Sequence, residues 1–95
     1  MTPEEEVVRG GQAAQVLDAP IFREAMAEID RAIEAQMQRV GLADTNMHTR
    51  LILLKQVRRQ IESYLDQVRQ TGEIAAFQIE EEKRRASLFD RLRAA

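Results

Sequence analysis

The sequence predicts an all-α protein: an antiparallel helical hairpin with a short N-terminal helix before it and an extended, charged helical tail after it. Three observations carry that expectation. Phe22, Met26, Ile29, Ile33, Met37 and Val40 recur in steps of three and four, which lines them along one side of an α-helix. Met47, Leu51, Leu54, Val57 (or Arg58), Ile61, Leu65 and Val68 do the same a little further on. Between the stripes, residues 41–45 form a connection short enough to fold the two helices back against each other and bury both.

At the N-terminus, Thr2-Pro3-Glu4-Glu5 has the arrangement of a capping box, with Thr2 as cap, Pro3 at the first helical position and Glu5 at the third. Gly10-Gly11 weakens the helix that this box begins, each glycine costing up to ~1 kcal/mol against alanine. The expectation is therefore a fraying segment before the glycines and a short helix over 11–17, whose Val16 and Leu17 fold over the end of the hairpin. Asp18 is a good cap for a new helix and Pro20 is tolerated in its first turn. That first long helix runs to Val40, where Gly41 supplies a left-handed stop. Asp44 or Thr45 caps the second long helix, which meets no breaker until Thr71-Gly72; at 1.5 Å per residue it spans roughly 37 Å. Such lengths belong to bundles and coiled coils.

Beyond Gly72 the apolar pattern thins to Ile74, Phe77 and Ile79. Glu80-Glu81-Glu82-Lys83-Arg84-Arg85 then sets acids N-terminal to bases at helical spacing, so this stretch is helical without a core. Leu88, Phe89 and Leu92 come next as a small apolar tip on the polar stalk. The organisation read from the chain is thus an arm and short helix over 1–17, a hairpin over 18–72, and a tail over 73–95.

Composition narrows the function. Ninety-five residues make one small domain with a thin core, so further burial is expected from self-association or from docking on a larger partner. Ile21, Ile52 and Leu53 add apolar positions beside the main seam, which points the same way. The absence of cysteine excludes a disulfide framework or thiolate zinc site. No apolar run reaches the ~18–20 residues of a membrane helix, and the acidic start is unlike a secretory signal, so no membrane partner is expected. The net charge of −2 conceals an asymmetry: residues 1–48 carry four bases and nine acids, residues 49–95 ten bases and seven acids. The simpler reading is an acidic helix paired with a basic one. The sharper reading is that Arg50, Lys55, Arg58, Arg59 and Arg69 meet an acidic partner or phosphate.

No constellation for catalysis stands out. His48 is the only histidine and lies in a first helical turn, a near-cap position. Glu24 with Glu28, and Asp30 with Glu34, read as a solvated face, since neither long helix carries the Glu-x-x-His motif of a di-metal bundle. Ser63, Tyr64 and Ser87 have no histidine to activate them, and Gly10-Gly11 lacks phosphate-loop spacing. The expectation is a protein that is not an enzyme and needs no cofactor or metal. Nucleic-acid binding is the rival: Arg50, Lys55, Arg58 and Arg59 offer cations, but aromatics are only 4% of the chain, too few for base-stacking platforms. The candidate protein-binding residues are Phe77, Leu88, Phe89 and Leu92, with Arg91 and Arg93 facing an acidic rim, in the manner of a helix-in-groove peptide; the alternative is that the tip folds back on the hairpin.

Arg9-Gly10-Gly11-Gln12-Ala13-Ala14 followed by Val16-Leu17-Asp18-Ala19-Pro20-Ile21-Phe22-Arg23-Glu24-Ala25 resembles short helical proteins encoded among the structural and packaging genes of tailed bacteriophages. The shared order is a Gly-Ala-rich turn, a Leu-x-x-Pro-x-Phe helix start, a central Asp-containing loop (here Asp44-Thr45) and a long helix ending in Thr-Gly (here Gln70-Thr71-Gly72). The resemblance spans about residues 9–76 and leaves out the tail; the chain departs from it in lacking a tryptophan in the first long helix. It implies a small virion or assembly component of capsid-associated, connector or scaffolding type, in the virion or host cytoplasm. It also implies a protein partner, either a larger structural protein or further copies of the chain. The alternatives from other classes are a small DNA-packaging or regulatory protein and an inhibitor of a host defence protein.

Overall fold

The computed structural model describes residues 1–94, which form three helices: α1 (Pro3–Asp18), α2 (Pro20–Arg39) and α3 (Thr45–Ala94). The all-α class and the hairpin are as the apolar spacing predicts. The molecule is a rod, 79 × 25 × 17 Å, and its long dimension is that of α3, whose fifty residues span ~75 Å.

Thr2 caps α1 as expected, its hydroxyl accepting from the Glu5 N–H at 3.1 Å. From there the helix continues through Gly10-Gly11 to Asp18 without fraying, which corrects the shorter helix expected over 11–17. Asp18 is the last residue of α1 and caps nothing. The break falls at Ala19, which has φ −65° and ψ 124°, because a residue before proline is pushed out of the helical region. One extended residue thus divides what is otherwise a single broken helix. Both halves run antiparallel to α3: Asp30 of α2 meets Arg58, while in α1 Val16 lies beside Leu65 and Gly10 against Gly72.

At its C-terminus α2 stops at extended Val40 (φ −78°, ψ 130°), and no glycine has positive φ, so the left-handed stop expected at Gly41 is not used. Asp44 does cap α3, accepting from the Met47 N–H at 3.1 Å. His48, half-buried, places Nε2 3.2 Å from the Gly41 carbonyl and braces the same loop.

The largest correction lies at Thr71-Gly72. Sequence logic ends the second long helix there, yet α3 passes straight through. Gly72 and Gly10 are both buried and face each other where α1 crosses α3. A Cβ on Gly10 would stand 2.8 Å from the Gly72 Cα; one on Gly72 would stand 2.8 Å from the Gly10 Cα and 2.9 Å from the Glu6 carbonyl oxygen. Ala13 and Ala75, 4% and 1% exposed, continue the contact. Small residues on both helices let the backbones approach, and the burial gained offsets the helix propensity that glycine gives up. The same contact sets Val16 beside Leu65 of α3 rather than over the hairpin's end.

Between α2 and α3 the core is Met26, Ile33 and Leu51, with Phe22, Met37, Met47 and Leu65 half-buried around it. No large side chain among the described residues is fully enclosed. A two-helix contact shields one stripe of each helix, and α2 and α1 cover successive lengths of the same stripe on α3.

Candidate interaction surfaces

Each flank of the α2–α3 hairpin has its own chemistry. On one flank Asp30, Arg31 and Glu34 of α2 gather with Lys55, Arg58 and Arg59 of α3. Arg58 is the pivot. Its side chain is only 17% exposed and occupies the seam position that the sequence shares between Val57 and Arg58. Its Nε lies 2.9 Å from Asp30 Oδ1, too poorly aimed for a hydrogen bond, and its Nη2 lies 3.0 Å from Glu62 Oε1. The contact with Asp30 is thus an ion pair that ties α2 to α3. Further along, Arg69 binds Asp66 and Glu73, each at 2.6 Å; the hydrogen bond and charge of Asp66, followed by Glu73, raise its pKa above the ordinary arginine value.

The cations of α3 are therefore not one surface. Lys55, Arg58 and Arg59 sit against the acids of α2, as in the simpler reading of the charge asymmetry. Arg50 is nine residues from Arg59, about 180° around the helix at 3.6 residues per turn, and belongs to the opposite flank.

Apart from Arg50, that opposite flank is apolar. Helical spacing places Ile29, Ala25 and Ala32 of α2 across the seam from Asp30 and Glu34, and Leu54, Val57 and Ile61 of α3 across the seam from Lys55 and Arg59. Ile29, Leu54, Val57 and Ile61 are 39–58% exposed, so four of the residues read from the sequence as core lie on the surface. Leu53 and Tyr64 extend the same ridge, both more than half exposed. Tyr64 holds Arg9 of α1, accepting from its Nη2 at 3.2 Å. No local pattern marks this role of Tyr64, because its partner lies 55 residues away on another helix. Spacing alone likewise puts Leu54, Val57 and Ile61 in the seam. It is the spacing of a buried stripe, and only the number of covering helices decides how wide a stripe is buried.

The third surface is the end of α3. From residue 82 onward every described residue is exposed, and the helix runs on past α1 to Ala94. Leu88, Phe89 and Leu92 are 56%, 63% and 65% exposed and do not fold back on the hairpin. Phe77 is also outside the packing, in a shallow depression with Glu81 and Arg85. Eleven residues separate Phe77 from Leu88, close to three turns, so both lie on one side of the stalk with Leu92. Arg91 and Arg93 flank the tip; Lys83 pairs with Glu80 and Arg84 with Glu81 on the stalk. The structure thus brings Phe77, Leu88 and Leu92 onto one face and turns Phe89 to its side.

Among the described residues no three His, Cys, Asp or Glu side chains are grouped so as to hold a metal ion. No helix among them is long and apolar enough to cross a membrane. Comparison with family models, curated proteins and solved structures finds no match to the chain.

Proposed function

We propose that this chain is a non-enzymatic interaction protein that serves as a small structural or assembly subunit of a tailed-bacteriophage particle. The observation that carries the interaction reading is the tail: a charged helix holding Leu88, Phe89 and Leu92 clear of all intrachain packing. Each such side chain gains about 1.5–3 kcal/mol when fully buried, and a partner's groove is where that gain is available. Phe89 is the main anchor, Leu88 and Leu92 support it, Phe77 extends the same surface toward the rod, and Arg91 and Arg93 meet an acidic rim. The phage assignment rests on the resemblance over residues 9–76. The DNA-contacting alternative has less support, because Asp30 and Glu62 hold Arg58 and Arg50 lies on another face.

The test is deletion of residues 86–95. The truncated chain should keep its helicity and melting temperature, since the deleted part lies outside the packing, and should no longer co-purify with particles or assembly intermediates. Association that survives both the truncation and Phe89→Ala would overturn the tail as the docking element. Absence of the intact chain from purified particles and from their precursors would overturn the phage reading.

A further inference from the structure

We propose that the end of α3 pairs antiparallel with the end of α3 in a second copy of the chain, about a two-fold axis that passes between Glu82 and Lys83. The pairing rests on the reading of the tail as a docking element and names one partner that it docks.

The faces of α3 decide which side is open. Buried Gly72 and Ala75 turn toward α1, and helical spacing sets half-buried Ile79 on the same side. Phe77 follows Ala75 by two positions, roughly 200° around the helix, so it points away from α1 and is exposed. Glu81, Arg84 and Leu88 follow Phe77 by four, seven and eleven positions, which keeps them within about 40° of it. Ile74 and Leu92, both exposed, border the same stripe. Gly10 meets Gly72 and α1 begins seven residues earlier, so α1 covers α3 only to about residue 79 and the rest projects ~22 Å beyond it. A second helix can lie along this stripe without meeting α1.

The order of charges identifies that helix as another copy. Glu80-Glu81-Glu82-Lys83-Arg84-Arg85 is acidic on one side of a single point and basic on the other, so the run read backwards is its own complement. Laid antiparallel about that point, Phe77 falls beside Leu88 of the second copy, and Ile74 beside Leu92. On one edge of the seam Glu81 comes level with Arg85 of the second copy; on the other, Glu80 comes level with Arg84. Symmetry repeats each contact, so apolar meets apolar and acid meets base along an overlap of roughly 28 Å. A parallel pairing would set acids against acids and bases against bases, which charge repulsion forbids. Within the single chain these charges have only local, largely exposed pairs, Lys83 with Glu80 and Arg84 with Glu81, each worth little and free to exchange partners. Phe89 stays at the side of the seam, open to the groove of a larger protein.

Sedimentation equilibrium of the purified chain should show the mass rising with concentration from 10.9 kDa toward twice that value, and falling again as salt is added. By small-angle scattering the 79 Å rod should give way to a particle about 125 Å long, since only the two tails overlap. Charge exchange reads the register. Arg84→Glu with Arg85→Glu makes the run acidic on both sides of the axis, and Glu80→Arg with Glu81→Arg makes it basic. Each variant alone should stay monomeric with its helicity kept, and an equimolar mixture of the two should pair. Wild-type chain that keeps the mass of one copy at every concentration overturns the pairing; so do charge variants that still self-associate alone, or that fail to pair when mixed. Phe89→Ala should leave the dimer intact and act only on docking to particles. A chain that dimerises but does not enter particles supports this pairing and refutes docking to a larger protein, whereas one that enters particles and never dimerises refutes the pairing alone.

Discussion

Gly72→Ala should destabilise the protein even though alanine is the better helix former, and Gly11→Ala should do the reverse. Both glycines lie inside a helix, so each substitution gains up to ~1 kcal/mol of helix propensity. They differ in what a methyl group meets. At Gly11 nothing lies within 4 Å, so the gain is realised in full. At Gly72 the new Cβ falls 2.8 Å from the Gly10 Cα and 2.9 Å from the Glu6 carbonyl, and both obstacles are backbone with no side-chain rotation to relieve them. Overpacking of this kind costs about 1–3 kcal/mol, and contact with rigid backbone places it at the upper end. Setting ~3 kcal/mol against ~1 kcal/mol of propensity leaves a net loss near 2 kcal/mol, or about 8–16 °C in melting temperature for a chain of this size. Gly11→Ala should raise the melting temperature by about 4–8 °C. The assay is thermal unfolding followed by circular dichroism, with all variants at one protein concentration because self-association would make the midpoint concentration-dependent. Amide exchange along α1 adds a local reading, since Gly72→Ala should speed exchange there first. If Gly72→Ala raises the midpoint as much as Gly11→Ala does, the close α1–α3 crossing is wrong.

The remaining predictions concern the rest of the hairpin. Asp44→Ala removes the side-chain acceptor of the Met47 N–H and should cost about 1 kcal/mol, measured by urea unfolding, with Asp44→Asn losing much less. Arg58→Glu places a third acid beside Asp30 and Glu62 and should cost about 1–3 kcal/mol by the same measurement, between the values for exposed and buried pairs. Arg58→Leu should be near neutral, because the leucine continues the apolar seam and Asp30 and Glu62, half exposed, remain solvated without their partner; strong destabilisation by that change would show that the ion pair itself holds α2 in place.

Local pattern was enough to establish that this protein is helical, where its chain reverses, and which side of each long helix turns inward. Periodicity is a local property, and Met26, Ile33 and Leu51 are buried where their spacing places them. Caps are local too, so Thr2 and Asp44 act as read. The meaning of the glycines came from packing. Gly10 and Gly72 weaken a helix considered alone, and the compensating contact is made between residues 62 positions apart, which no local pattern records. Packing likewise made Leu54 and Val57 surface residues: their spacing marks a stripe as apolar, whereas the width buried depends on how many helices lie against it. With only the broken α1–α2 helix alongside α3, one flank is charged and paired, the other apolar and open, and the end of α3 extends past all cover.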